Sequence, residues 1–134
     1  MTINSQLVSI VMTCYNGDKY LSKALQSIIN QSYLNWELIF WDNQSNDNSK
    51  SVFNSFNDKR FKYFYSPTHT NISIAKNFAM EKTNGSLIAF LDVDDWWHKD
   101  KLKKQIKLFN NPNISITAAN FWVFSQKKNN YWKY

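Results

Sequence analysis

Residues that several common functional sites require are scarce in this sequence. Its 134 residues include two glycines, two prolines and one cysteine, Cys14. A glycine-rich phosphate loop cannot be built from two glycines, and the missing G-x-G-x-x-G fingerprint argues against a Rossmann oxidoreductase. Cys14 has no second cysteine with which to form an internal disulfide or a metal cluster, which favours a reducing compartment. We expect it to be a small buried residue rather than a nucleophile.

Long apolar runs are also missing. No segment reaches the roughly 18 apolar residues of a membrane-spanning helix, and residues 1–6 lack the pattern of a signal peptide. We therefore predict a cytoplasmic protein. The length suits one compact domain, and a hydrophobic content of 43%, with 17% aromatic residues, is sufficient for a core.

The positive charge leaves three classes of partner open. A net charge of +6 suits a nucleic acid, an anionic membrane surface or a small polyphosphate ligand. Eight of the 16 cationic residues follow Asp95, most of them in the lysine-rich stretch 99–107. Such a stretch is usually a solvated helix face. Peripheral contact with the inner face of a membrane is the alternative.

Short apolar runs alternate with helix-spaced apolar residues along the chain. Four runs are typical of buried strands, at 8–13, 36–41, 61–65 and 87–91, and we predict a fifth strand at 115–124. The predicted helices are one from Tyr20 to Ile29, a short one at 51–56, one capped by Ser73 that ends at Asn84-Gly85, and a lysine-rich helix with Leu102, Ile106 and Phe109 on its apolar face. This alternation predicts an α/β fold, with a Rossmann-like, mostly parallel sheet flanked by helices.

Three carboxylates follow the fourth strand, at Asp92, Asp94 and Asp95. In a parallel sheet this end lies at the edge where ligands bind. The carboxylates repel one another, and a divalent cation would remove that cost; oxygen ligands from few protein groups suit Mg²⁺ or Mn²⁺. The alternative is a solvated acidic loop that caps the next helix. The cluster argues against a nucleic-acid-binding domain, because it would repel a phosphate backbone.

Four blocks of sequence carry a family resemblance. They are the opening VSIVMTCYNGDKYLSKALQSIINQSY, then WELIFWDNQSNDNS, then Ile74-Ala75-Lys76-Asn77, and finally GSLIAFLDVDDWWHKDKL. In this order and spacing the chain resembles the nucleotide-sugar-binding half of family 2 glycosyltransferases, which are inverting enzymes with the GT-A fold. The resemblance covers about residues 7–110. It implies transfer of a sugar from a nucleotide diphosphate sugar, UDP-linked, to a surface-polysaccharide or glycolipid acceptor.

The resemblance also implies roles for individual residues. Thr13 and Tyr15 would line the nucleobase pocket, and Asp42 would accept hydrogen bonds from the base. Lys76 stands where the family has an arginine that grips phosphate or base edges. Asp94, with its neighbours Asp92 and Asp95, would hold the ribose and the Mg²⁺ or Mn²⁺ ion that bridges the diphosphate.

Two departures from the family pattern limit what the resemblance implies. The family usually has a second acidic residue after Asp42, where this chain has Asn43. Its acceptor site and catalytic aspartate lie in a second half, and residues 126–134 contain no carboxylate. We therefore identify no catalytic residue and expect one nucleotide-diphospho-sugar-binding domain over residues 1–134, truncated at its C-terminus. A non-catalytic nucleotide-sugar-binding fragment is the alternative to an active enzyme with a carbohydrate or lipid-linked acceptor.

Overall fold

Strands and helices alternate along most of the chain. The computed structural model describes residues 6–125 and 130–133. Its elements are, in chain order, β1 (Val8–Cys14), α1 (Asp18–Ile29), β2 (Trp36–Asp42), α2 (Ser49–Asn54), β3 (Phe61–Tyr65), α3 (Ile72–Met80), β4 (Leu87–Phe90), α4 (Lys101–Ile106), β5 (Trp122–Ser125) and β6 (Asn130–Lys133). A 3₁₀ turn at Lys107–Asn110 follows α4 directly.

Strands β1 to β4 form one parallel sheet in the order β3-β2-β1-β4. The two central strands pair over their full length, from Val8 opposite Trp36 to Cys14 opposite Asp42. Every residue of these two strands is buried, as expected for parallel strands that are covered on both faces. The predicted fold, a mostly parallel sheet flanked by helices, is confirmed.

The helices divide between the two faces of the sheet. On one face, Leu21 and Ile28 of α1, Phe53 of α2 and Leu102 of α4 belong to the larger hydrophobic core. On the other face, α3 is the covering helix, and its buried residues pack against β1 and β2 in a second cluster: Val11, Ile39, Trp41, Ala75 and Ala79. None of the helices within residues 6–125 and 130–133 is long and apolar enough to span a membrane.

The predicted fifth strand at 115–124 is wrong in extent and in pairing. Residues 114–121 have no regular structure, and Ile116 in this segment is 87% exposed. A strand starts only at Trp122, and it pairs antiparallel with β6 in a separate two-stranded sheet. Alternating apolar residues favour a strand, but a strand also needs a neighbouring strand to pair with, and residues 114–121 belong to neither sheet of the described residues.

The predicted cap of α3 is also corrected. Asn71, not Ser73, precedes the helix, and its Oδ1 accepts the backbone N–H of Ile74 at 3.0 Å. Asn84-Gly85 does not end the helix, which stops at Met80. Gly85 instead lies against β1: a Cβ there would be 2.5 Å from the carbonyl oxygen of Leu7. The glycine is therefore needed for close approach of two backbone segments.

Candidate functional site

The loops that follow the carboxyl ends of β1 to β4 surround a cavity of about 590 Å³. Its lining residues are Thr13, Cys14, Tyr15, Asn16, Gly17, Tyr20, Asn43, His69, Thr70, Asn71, Ile72, Ala75, Asp92, Val93 and Asp94. The wall thus includes four of the predicted site residues: Thr13, Tyr15, Asp92 and Asp94. Three other predicted site residues are not part of the wall: Asp42, Lys76 and Asp95.

The acidic loop after β4 contributes two carboxylates to the cavity, those of Asp92 and Asp94. Burial raises the pKa of Asp95, and the neighbouring charges of Asp94 and Asp92 raise it further. The Nζ atom of Lys76 lies 3.0 Å from Oδ1 of Asp92 and offsets part of this negative charge. Within the described residues, no three acidic, histidine or cysteine side chains converge as a preformed metal cage. The cavity therefore offers two carboxylates rather than a complete coordination sphere.

Asp42 lies at the same edge of the sheet but is buried, with 1% of its surface exposed. Its Oδ2 accepts a hydrogen bond from the Tyr63 hydroxyl at 2.6 Å, and its Oδ1 accepts the backbone N–H of Ser45 at 2.7 Å. Burial raises the pKa of the Tyr63 hydroxyl, and the bond to Asp42 raises it further. The predicted contact of Asp42 with a base stays a prediction, and it would require the buried carboxylate to become accessible to the base.

The loop after β1 is fastened to the loop after β2. The backbone N–H of Asn16 donates to Ser45 Oγ at 3.0 Å, and Asn16 Oδ1 accepts the N–H of Asn46 at 2.9 Å. The N–H of Gly17 donates to Ser49 Oγ at 3.0 Å. Asn16 has a positive φ of 53°, which asparagine tolerates better than most residues. The polar stretch after β2 therefore shapes the cavity mainly by holding its neighbour in place.

Hydrogen bonds between Asn43 and Thr70 hold a second loop, the segment between β3 and α3, in place. Neither residue was predicted from the sequence to be part of the site. Asn43 Nδ2 donates to the carbonyl oxygen of Thr70 at 2.7 Å, and Asn43 Oδ1 accepts the N–H of Thr70 at 3.1 Å. This reciprocal pair holds the segment between β3 and α3 against the end of β2. The sequence signal was the position of Asn43, two residues after the end of a predicted strand.

Cys14 is buried beside the cavity, with 1% of its surface exposed. Its Sγ lies 3.4 Å from Ser49 Oγ and 3.7 Å from Ser45 Oγ. Burial raises the pKa of the thiol, although the serine hydroxyls lower it in part. The thiolate form is therefore disfavoured, in agreement with the expectation of a small buried residue.

The fold and the cavity define an α/β protein with its ligand site at the carboxyl edge of a parallel sheet. The sequence profile of the family described as Glycosyl transferase family 2 matches residues 9–134, and the chain belongs to this family. It is 40% identical over 121 residues to an uncharacterized glycosyltransferase of Haemophilus influenzae, a match that covers 89% of this chain and 48% of the relative.

A second relative has a more specific description. The chain is 35% identical over 123 residues to Escherichia coli WfgD, described as a UDP-Glc:alpha-D-GlcNAc-diphosphoundecaprenol beta-1,3-glucosyltransferase. This match covers 92% of the chain and 49% of WfgD. The chain thus spans about half the length of the curated relatives that it matches.

Solved structures share the fold. Staphylococcus aureus TarS in complex with UDP superposes with a TM-score of 0.73 at 23% identity, over 77% of this chain and 32% of that one. The mannosyltransferase PcManGT from Pyrobaculum calidifontis, in complex with GDP-Man and Mn²⁺, gives 0.74 at 21% identity, over 80% of this chain and 33% of that one. The predicted membership of family 2 and the GT-A type of fold are confirmed.

Proposed function

We propose that the chain binds a nucleoside diphosphate sugar, UDP-linked, together with a divalent cation. In this proposal it forms the donor-binding part of a glycosyltransferase whose acceptor is a surface polysaccharide or a lipid-linked sugar. The observation that carries the proposal is one cavity whose lining includes both Thr13 and Tyr15 from the end of β1 and Asp92 and Asp94 from the loop after β4. WfgD, whose description names a UDP-sugar and a lipid-linked acceptor, supports this choice of substrates.

These two groups of lining residues suit the two ends of a nucleotide sugar. Tyr15 is 53% exposed and can offer its ring to a flat base. Asp92 and Asp94 are both exposed, so their oxygens can accept hydrogen bonds from ribose hydroxyls or ligate a cation. The ammonium group of Lys76 lies 3.0 Å from Oδ1 of Asp92 and can neutralise charge on a diphosphate.

The carboxylates fit a divalent cation of the Mg²⁺ or Mn²⁺ type. Mg²⁺ is usually held by one or two carboxylates and completes its shell with water and substrate phosphate oxygens. Asp94 and Asp92, with Asp95 beside them, would hold the ion. When bound, the ion would stabilise the charge that develops on the departing diphosphate.

The reaction implied by the family is attack of an acceptor hydroxyl on the anomeric carbon. The new carbon–oxygen bond forms as the bond to the diphosphate breaks, and a carboxylate base takes the hydroxyl proton. The cavity carboxylates among the described residues are Asp92 and Asp94, and both are assigned to the donor. A non-catalytic nucleotide-sugar-binding fragment is therefore the second candidate function.

Isothermal titration calorimetry of the chain with UDP, in Mn²⁺, in Mg²⁺ and in chelator, tests the proposal. We expect tighter binding with either cation than with chelator. Asp94→Asn should remove most of this gain and leave the metal-free affinity nearly unchanged. Glu81→Gln removes an exposed carboxylate outside the cavity and is the matched control.

Two outcomes separate the candidates. Release of UDP from a UDP-sugar in the presence of acceptor identifies an enzyme, whereas binding without release identifies a binding fragment. Metal-independent binding of UDP would remove the role given to Asp92, Asp94 and Asp95. Cell fractionation of the expressed chain tests the predicted cytoplasmic location and the alternative of peripheral membrane contact.

A further inference from the structure

The segment that follows the acidic cluster lies along α1. Its residues 96, 97 and 98 contact three side chains in succession: Lys23, Ser27 and Gln31. We call these three side chains the anchoring row. Lys23 and Ser27 are one turn apart on the same face of α1, and Gln31 follows four residues later, just beyond the end of the helix. The row therefore contacts the segment residue by residue.

The first member of the row, Lys23, holds a side chain. Its Nζ lies 3.2 Å from the centroid of the Trp96 ring, which is a cation–π contact. Phe124 of β5 packs against the same indole in an edge-to-face arrangement, with 6.2 Å between the ring centroids. Trp96 is thus held between two partners although it is 37% exposed.

The other two members of the row hold the backbone. Ser27 Oγ accepts the N–H of Trp97 at 3.1 Å. Gln31 is 2% exposed; its Nε2 donates to the carbonyl oxygen of His98 at 2.9 Å, and its Oε1 accepts the N–H of Leu102 at 3.1 Å. A buried amide that is paired at both ends restrains the backbone it contacts, because a shift would leave buried polar groups unpaired.

The acidic residues are tied to this anchored segment. The N–H of Asp95 donates to the carbonyl oxygen of Asp92 at 3.1 Å and closes a turn across the acidic cluster. Trp96 is the next residue in the chain. A displacement of Trp96 would therefore be transmitted through this turn to the two carboxylates that line the cavity, those of Asp92 and Asp94.

We propose that Lys23 and Ser27 are positioning residues, which hold the acidic turn where Asp92 and Asp94 can share one divalent cation with the diphosphate of the donor. The inference rests on the proposed function, and it adds the part of α1 that sets the position of the carboxylates. Both residues are outside the lining of the cavity, so they act through the turn and not on the ligand. Without their contacts the turn would occupy other conformations, and the apparent affinity would fall with the population of the competent one.

Calorimetry of UDP binding, in Mn²⁺ and in chelator, tests the two residues. For Lys23→Gln and for Ser27→Ala we expect the metal-dependent gain in affinity to fall about three- to tenfold, the scale of one such contact, with the metal-free affinity unchanged. Lys23→Arg keeps a cation that stacks on an indole, and Ser27→Thr keeps a hydroxyl that can accept, so both should retain the gain. Ser22→Ala, at an exposed position of the same helix, is the matched control.

Amide hydrogen exchange of the ligand-free chain, followed by mass spectrometry, is a second measurement that needs no nucleotide. We expect faster exchange over residues 92–98 in Lys23→Gln and in Ser27→Ala, because the segment opens more often when one of its contacts is removed. Exchange in β1 should stay unchanged. The conservative variants Lys23→Arg and Ser27→Thr should exchange like the unaltered chain.

The outcomes distinguish this inference from the proposed function. A full metal-dependent gain in Lys23→Gln and Ser27→Ala would overturn the inference, whatever the exchange rates, because the contacts would then serve stability alone. An equal loss in Ser22→Ala, or a loss that Lys23→Arg and Ser27→Thr share, would overturn it as well. If the unaltered chain binds UDP no better with metal than with chelator, the proposed function itself fails, and the inference fails with it.

Discussion

Lys76 of α3 and Asp92 of the loop after β4 form an ion pair, with 3.0 Å between Nζ and Oδ1. The pair joins the helix on one face of the sheet to the acidic loop that lines the cavity. Its side chains are 30% and 49% exposed, so its contribution to stability is small, about 0.2–1 kcal/mol. Its larger effect is on charge, because it places the Lys76 ammonium group beside the carboxylates that would bind the donor.

Replacement of Lys76 by glutamine should weaken binding of the diphosphate and not of the nucleoside. If the Lys76 ammonium turns from Asp92 to a phosphate oxygen when the donor binds, its loss removes a hydrogen bond to a charged group, which costs about 1.5–3 kcal/mol, or roughly ten- to a hundredfold in affinity. We expect a loss of this size for UDP and almost none for uridine, measured by calorimetry. Lys82→Gln, just beyond the end of α3, is the control. Equal losses for UDP and uridine would show that Lys76 does not act on the phosphates.

The hydrogen bond between Tyr63 and Asp42 should contribute to stability as a coupled pair. Asp42→Ala leaves a partly buried hydroxyl without its acceptor, so it should lower the free energy of unfolding by about 1–3 kcal/mol. Tyr63→Phe removes a donor from the buried Asp42 carboxylate and should also cost about 1–3 kcal/mol. In a double-mutant cycle measured by urea unfolding, the double variant should lose less than the sum of the single losses. If Asp42 also contacts the base, Asp42→Ala weakens UDP binding and Tyr63→Phe does not.

Acid should destabilise the protein through Glu37, at the opposite end of β2. Burial raises the pKa of this carboxyl, but the Lys62 ammonium, the Ser9 hydroxyl and the Asn84 amides outweigh burial and lower it from 4.5 to about 2. Because the folded pKa is the lower one, the stabilisation is complete above about pH 4.5 and is lost as the pH falls towards 2. Its size is on the order of 3 kcal/mol.

The measurement for Glu37 is urea unfolding between pH 2.5 and 7. Glu37→Gln should be less stable than the unaltered chain at pH 7 and should approach it in acid, because the unaltered chain then loses its charged network. Glu81→Gln removes an exposed carboxylate and should leave the pH profile unchanged. A profile for Glu37→Gln parallel to that of the unaltered chain would contradict the assignment.

The two glycines should respond differently to alanine. At Gly85 a Cβ would lie 2.5 Å from the carbonyl oxygen of Leu7, a backbone atom, so Gly85→Ala should cost about 1–3 kcal/mol in thermal or urea unfolding. At Gly17 the nearest atom is Cγ2 of Val93, at 2.9 Å, and a side chain can shift more easily. Val93 lies between Asp92 and Asp94, so a shift of Val93 would displace both carboxylates. Gly17→Ala should therefore reduce the metal-dependent gain in UDP binding and change the free energy of unfolding little.

The central strands could be predicted from sequence because strands that are buried on both faces consist almost entirely of apolar residues. The segments at β1 and β2 are almost continuously apolar, and the predicted bounds 8–13 and 36–41 differ from the observed ones by one residue at the end. That one residue matters for the site. Neighbouring residues at a strand end point to opposite sides. With β2 extended to Asp42, Asp42 is buried and Asn43 lines the cavity.

What could not be predicted depends on contacts between distant segments. Asn43 and Thr70 are hydrogen-bonded although they are 27 residues apart in the sequence, and neither residue type by itself predicts this pairing. The same holds for β5, whose start at Trp122 is set by its pairing with β6. For α3, both Asn71 and Ser73 are good capping residues, and the path of the chain after β3 decides between them.

Because Cys14 is buried, the reactivity of its thiol can report local opening of the loops around the cavity. Its thiol is the only one in the sequence, and it is buried against Ser49 beside the cavity. Alkylating reagents reach a buried thiol only in states where the surrounding loops have separated, so the rate of modification measures how often they do. Ligands that hold the loops after β1 and β2 together would therefore slow alkylation. The ratio of the alkylation rates with and without ligand then gives the change in the free energy of loop opening, and no engineered label is needed.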